Sequence, residues 1–158
     1  MRKDFSTLAV VSIILITTFI AVFFVIMPNL PQSFTNVRIG DGIFKARLAT
    51  TETDRQKGLS GVDNLSPDQA LLMVFPSSDK WGIWMKDMKI PIDIIWLNEN
   101  KQVVYIVKNA VPEELDLRTF IPKTSAKYVL ELAAGSVDSR SIKSDSTAVF
   151  QLDEVDIQ

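Results

Sequence analysis

The sequence predicts a small β-rich domain, barrel-like or sandwich-like with one or two short helices, behind one N-terminal transmembrane helix. Three observations predict it. Thr7 to Met27 is a run of about 21 residues without a charge, long enough at ~1.5 Å per residue to cross a hydrocarbon core of roughly 30 Å. Beyond it, short apolar runs recur between turn signals, the pattern of a sandwich or a barrel. The roughly 120 residues from Val37 to Ile157 suffice for one compact core.

The apolar run is rich in Val, Ile, Leu and Phe. Several of these are poor helix formers in water, but lipid imposes a helix because every backbone group must pair internally. Pro28 and Pro31 mark its exit. A cleaved signal peptide would carry a shorter apolar region ending in small residues. Phe23 to Leu30 offers no such site, and there is no cysteine for a lipid. The reading is an uncleaved signal anchor over residues 7–27 with a cytoplasmic tail over 1–6. Arg2 and Lys3 should stay inside by the positive-inside tendency, leaving the C-terminal domain outside the cytoplasm. Residues 28–36 form the linker and 37–158 the extracytoplasmic domain.

Within the domain, Val37 to Ile39 and Ile43 to Leu48 alternate apolar and polar around Gly40-Asp41-Gly42, which predicts a hairpin. Thr51 to Lys57 is a short helix, with Thr51 or Thr53 as its cap and Gly58 as its stop. Ser66-Pro67-Asp68 is a turn or a helix start, and Leu71 to Phe75 reads as a buried strand. Ile92 to Leu97, the turn Asn98-Glu99-Asn100 and Gln102 to Val107 form a second hairpin. Tyr128 to Leu132 and Thr147 to Leu152 are strands, with a helical turn over Ala133 to Val137.

Composition narrows the chemistry. The chain has neither cysteine nor histidine, and 17 basic residues face 19 acidic ones. Disulfides, thiol catalysis and Ser-His-Asp triads are therefore absent, and structural zinc lacks its usual ligands. No basic patch invites nucleic acid. No Gly-rich phosphate loop, nucleophile elbow or metal motif occurs, so no cofactor and no metal are expected.

Several segments resemble the domain of unknown function 192 family, also called uncharacterised protein family 0127. They are Arg55-Gln56-Lys57-Gly58-Leu59, Leu71 to Pro76, Trp84-Met85-Lys86-Asp87-Met88, Ile90 to Ile95, Pro112, and Tyr128 to Leu132 with Gly135. The sequence departs from the family pattern at Ser60, at Asp87-Met88, at Ala70-Leu71 and at Ser144-Asp145. The resemblance implies a compact β-barrel-like fold, often exported, and implies no activity.

Four residues are candidates for a ligand site: Arg55, Trp84, Asp93 and Glu131. Asp93 interrupts a strand that is apolar at both parities, and a buried carboxylate is costly unless paired or hydrogen-bonded. A structural reading ties it to Arg55, the preferred partner, or to backbone N–H groups; a functional one lets it line a pocket. Glu131 shares a strand face with Val129 and poses the same choice. Arg55 suits bidentate carboxylate pairing, internal or with a ligand. Trp81, Trp84 and Trp96 are many for so small a domain. Trp84 between polar segments can offer a platform for a sugar or a peptide side chain, although core packing is the commoner fate. Met73, Met85 and Met88 read as gap-fillers.

The expectation is a non-enzymatic binding or accessory module of the cell envelope, anchored in the membrane by a single span. Its ligand would be a small molecule, a saccharide or a peptide. The alternatives are a carboxylate-dependent enzyme acting on a small saccharide or envelope polymer, and a structural subunit of a membrane complex.

Overall fold

A computed structural model describes residues 3–26, 33–112 and 119–152. Pro28 and Pro31 lie outside these residues. The chain divides into two compact units, Met1–Gln32 and Ser33–Gln158.

The first unit is the helix α1, Lys3–Ile26. The hydroxyls of Thr17 and Thr18 donate to carbonyls three and four residues back, so these side chains leave no free donor on the helix surface. Within α1 the described side chains are those of residues 9–21. Among the described residues no helix is long and apolar enough to cross a membrane.

The second unit is a six-stranded mixed sheet. Its strands are β1 (Phe34–Ile39), β2 (Gly42–Ala49), β3 (Gln69–Asp79), β5 (Ile92–Leu97), β6 (Val103–Ala110) and β8 (Ala126–Ala133), in the order β1-β2-β3-β8-β5-β6. A two-stranded ribbon pairs β4 (Ile83–Trp84) with β7 (Thr119–Phe120), and the short helices are α2 (Glu52–Lys57) and α3 (Ser136–Ser139).

Both expected hairpins form: β1 with β2, and β5 with β6. β1 starts at Phe34 and takes in the last three residues of the expected linker, because Phe34 to Asn36 pair with Arg47 to Lys45. α2 is capped as expected. The Thr51 side chain accepts from the Asp54 N–H, and Gly58 ends the helix at φ 51° and ψ −129°, a region open essentially to glycine. The segment through α2 returns the chain so that β3 lies parallel to β2. The expected turn at 133–137 becomes strand up to Ala133, and α3 starts only after Gly135 at φ 84°.

The apolar runs of β3 and β5 are explained by a sheet buried on both faces. On one face Leu72, Val74, Ile95, Leu97, Leu130 and Leu132 pack with Phe44, Val137 and Phe150. On the other, Leu71, Met73, Phe75, Ile94, Trp96 and Val129 pack with Leu59, Ile83 and Met85. Thr147 to Leu152, expected as a strand, contributes two isolated bridges instead. Arg38 and Val149 exchange backbone hydrogen bonds at 2.9 and 2.8 Å, while Ser146 and Ala148 bond to Val103 and Lys101. This segment links β1, at one edge of the sheet, to the start of β6, at the other.

Candidate functional site

The sheet register decides which charged residues can meet. Arg47 lies beside Leu71, Leu71 beside Glu131, and Glu131 beside Ile94, so the four form one row across β2, β3, β8 and β5. Arg47 and Glu131 stand two strands apart, about 10 Å at ordinary strand spacing. That separation permits a long-range attraction without contact. Among the described residues the ion pairs are Lys89–Asp63 and Lys108–Asp138, both exposed.

Glu131 is only 3 % exposed, and its Oε2 has no hydrogen-bond partner among the described residues. Burial pushes its carboxyl up to about 7, against the weaker opposing pull of Arg47. Arg47 itself is half-buried and lowered by desolvation, with Asp54 and then Glu131 opposing the shift. Its Nη2 donates to the Gly58 carbonyl at 2.8 Å.

Glu131 contributes to the wall of a cavity of about 490 Å³. One side of this cavity is an ordered stack. The Arg55 guanidinium lies 5.2 Å from the Phe75 ring, and Phe75 stacks on Trp81 with centroids 4.4 Å apart and planes 10° from parallel. The stack is held at its ends. Arg55 Nη1 donates to the carbonyls of Thr50 and Val74, the latter at 2.9 Å, and Trp81 Nε1 donates to the Ser77 carbonyl at 3.0 Å. Trp96 Nε1 bonds the Trp81 carbonyl at 2.8 Å and ties this wall to β5. The position of the wall follows from β3. Its register shifts between Val74 and Asp79, where Pro76 cannot donate to a ladder.

The lining also includes the loop after α2 and the segment around Trp84. Ser60 Oγ donates to the Lys86 carbonyl at 2.8 Å, and the Gly61 N–H to the Asp87 carbonyl at 2.8 Å. Trp84 is 46 % exposed at the cavity wall, with Lys86 Nζ 5.9 Å from its ring centroid. Ser60 and Met88, two departures from the family pattern, line the cavity.

Arg55, Trp84 and Glu131 thus share one cavity. Asp93 does not join them, and its expected pairing with Arg55 is not formed. Its carboxylate accepts from the backbone N–H of Asn109 and of Val137, both at 2.8 Å. The reason is parity. Asp93 shares a face with Ile95 and Leu97, whereas Glu131 and the cavity lie on the other face. Asp93 and Glu131 therefore do not meet as a carboxylate pair, although their strands are neighbours. The Val137 contact gives α3 a cap from outside the helix, since Gly135 has no side chain to supply one.

Arg47, Phe75 and Trp81 were not among the sequence-derived candidates. Arg47 looks like an outward residue of an alternating strand, and only the parallel pairing of β2 with β3 sets it in line with Glu131. Met73 and Met88 line the cavity, while Met85 is core. Among the described residues no cluster of three carboxylates could hold a metal ion.

Comparison with known proteins places the chain in a family. A protein from Thermococcus sibiricus (strain DSM 12597 / MM 739), named "UPF0127 protein", is 32 % identical over 96 residues, covering 60 % of this chain and 58 % of that protein. The chain therefore spans less than two thirds of that relative. A candidate transcription regulator from Sinorhizobium meliloti 1021 has a solved structure with a TM-score of 0.72 at 23 % identity, covering 77 % of this chain and 97 % of its own; at that identity the likeness is one of fold. A protein of unknown function from Novosphingobium aromaticivorans DSM 12444 gives 0.68 at 25 % identity, covering 75 % and 84 %. The family model DUF192, described as "Uncharacterized ACR", matches residues 35–150, from β1 through the segment that bridges the sheet edges, and the chain belongs to the DUF192 family.

Proposed function

We propose that this chain is a membrane-anchored binding or accessory module of the cell envelope, whose β-rich unit stands outside the cytoplasm and holds a small ligand in the Glu131 cavity. The observation that carries the binding reading is Glu131 Oε2, a buried acceptor with no partner among the described residues, on a residue that lines a cavity of about 490 Å³. An unsatisfied buried acceptor costs about 1–3 kcal/mol, and more if it is charged, a cost that a donor on a ligand removes. The volume lies within the roughly 300–1,000 Å³ of small-ligand sites, and an aromatic wall with a few polar groups is their usual lining.

The anchor is supported by the helical backbone of α1. It is supported also by the uncharged sequence from Thr7 to Met27 and the basic Arg2 and Lys3 before it. The binding reading is tested by a fragment screen on the full chain in detergent, with the indole signals of Trp81 and Trp84 followed by NMR. Hits should shift these signals and be lost in Ser60→Trp, which fills the cavity. Hits that bind elsewhere, or that are indifferent to Ser60→Trp, refute it.

A second reading makes the domain a carboxylate-dependent enzyme acting on a small saccharide or envelope polymer. It draws on the same residue, because a carboxyl that titrates near neutrality suits general acid–base transfer. Product formation by the unmodified chain, abolished in Glu131→Gln, would favour it over simple binding.

A further inference from the structure

We propose that the ligand of the Glu131 cavity is a neutral saccharide, seated with a C–H face of its ring on the aromatic wall and one hydroxyl donating to Glu131 Oε2. This rests on the binding reading above and narrows its ligand to one chemical class.

The argument starts from the orphaned oxygen. Oε2 is buried and has no partner among the described residues, and Glu131 lines the cavity, so an occupant that satisfies it must bring a donor. Ammonium, amide and hydroxyl groups all qualify in principle, and the surrounding charge separates them. Arg55 and Lys57 line the same cavity as Glu52 and Glu131, two cations against two carboxyls. A cationic ligand would bring like charge to Arg55 and Lys57. A carboxylate ligand would bring like charge to Glu131. A neutral ligand avoids both penalties.

Among neutral donors, hydroxyl fits both states of a carboxyl that changes protonation near neutrality. It donates to the carboxylate and accepts from the acid, whereas an amide N–H only donates. The wall supplies the rest. Arg55 and Trp81 take up the faces of Phe75, so the aromatic surfaces left for an occupant are those of Trp81 and of the more exposed Trp84, both on the cavity lining. Such surfaces suit the apolar C–H face of a pyranose, and a wall held by hydrogen bonds loses little freedom on binding. Arg55 Nη1 is engaged by the carbonyls of Thr50 and Val74. The guanidinium has three further N–H groups, on Nε and Nη2, and these can donate to ring and hydroxyl oxygens. One occupant therefore needs a donor for Glu131, acceptors for Arg55 and an apolar face between them, and a pyranose has all three.

The test uses the full chain in an oxyethylene detergent, since glucoside and maltoside head groups are themselves probes. Tryptophan fluorescence is titrated with neutral methyl pyranosides in gluco, galacto, manno and N-acetylglucosamine forms, and with glucosamine and glucuronate as charged counterparts. At least one neutral pyranoside should bind saturably, and about tenfold or more tighter than its charged counterparts. Glu131→Gln should weaken that binding about 10- to 100-fold, the usual range for a hydrogen bond to a charged group, with circular dichroism unchanged. Arg55→Lys keeps the charge and loses the planar fork, and should weaken it as well. Tighter binding of glucosamine or glucuronate overturns the assignment. So does the absence of saturable binding by every neutral pyranoside at high millimolar concentration. In either case fragment hits lost in Ser60→Trp leave the binding reading standing, and an empty fragment screen removes it too.

Discussion

Replacing Glu131 by glutamine keeps the shape of a protonated carboxyl and removes its titration. In the folded chain burial holds this carboxyl near 7, against an ordinary value of 4.5. Between those values the folded state binds more protons than the unfolded state, so stability falls as pH rises. The stabilising contribution is fully present below about pH 4.5 and is lost as pH passes through about 7. At about 1.4 kcal/mol per unit of pKa difference, the loss is on the order of 3 kcal/mol. The assay is urea unfolding of the full chain in a mild detergent, with Glu131→Gln beside the unmodified protein at each pH. Other carboxylates titrate in both proteins and cancel in the difference. The variant should gain about 3 kcal/mol relative to the parent from about pH 4 to about pH 8, nearly all of it between 4.5 and 7. A difference flat with pH would refute the reasoning. It would mean that Arg47, two strands away, compensates the buried charge, and that Glu131 ionises as an ordinary carboxyl does.

Three further outcomes follow from the same structure. Asp93→Ala strands the N–H groups of Asn109 and Val137 and should lower the unfolding free energy by about 2–4 kcal/mol, read from the urea midpoint, whereas Glu99→Ala loses only an exposed contact from Ser78 and should barely move it; an unchanged midpoint in Asp93→Ala would remove its structural role. Gly40→Ala places a Cβ 2.2 Å from the Arg140 carbonyl oxygen, at φ +54°, and should cost at least about 1–3 kcal/mol by thermal melting; a neutral result would mean that the hairpin turn does not pack on this carbonyl. Protease added to spheroplasts should digest residues 33–158 while mass spectrometry of the untreated protein still finds Met1 to Met27; a protected domain, or a mature N-terminus near residue 30, would exclude the uncleaved anchor.

The parts of the fold legible in the sequence are those decided locally. The hairpin about Gly40-Asp41-Gly42, the Thr51 cap with its Gly58 stop, and the strand Ile92–Leu97 are written in neighbouring residues, and each stands where expected. The order of strands is not local. Nothing in Tyr128 to Leu132 announces that this strand lies between β3 and β5, and that placement is what sets Glu131 opposite Leu71 and Ile94. The site was legible by half for the same reason. Asp93 and Glu131 carry the same signal, a carboxylate in an apolar run, yet register sends one to backbone N–H groups and the other to a cavity. Arg47 stayed hidden because an arginine on an alternating strand is ordinary until its neighbours across two strands are known.

The segment around Thr147 has a consequence for the order of events in the life of the chain. β1 precedes every other strand, yet the partner that covers its outer edge at Arg38 is Val149, beyond the last strand of the sheet. A chain emerging from the ribosome therefore exposes an unmet edge for almost the whole time needed to make the domain. Contacts so distant in sequence close slowly, because the loop entropy is lost before the contact is gained. An unpaired edge in the meantime is a template for pairing with other chains. Premature termination just before residue 146 would uncover both edges and remove the core side chain of Phe150, so such a product should associate with copies of itself.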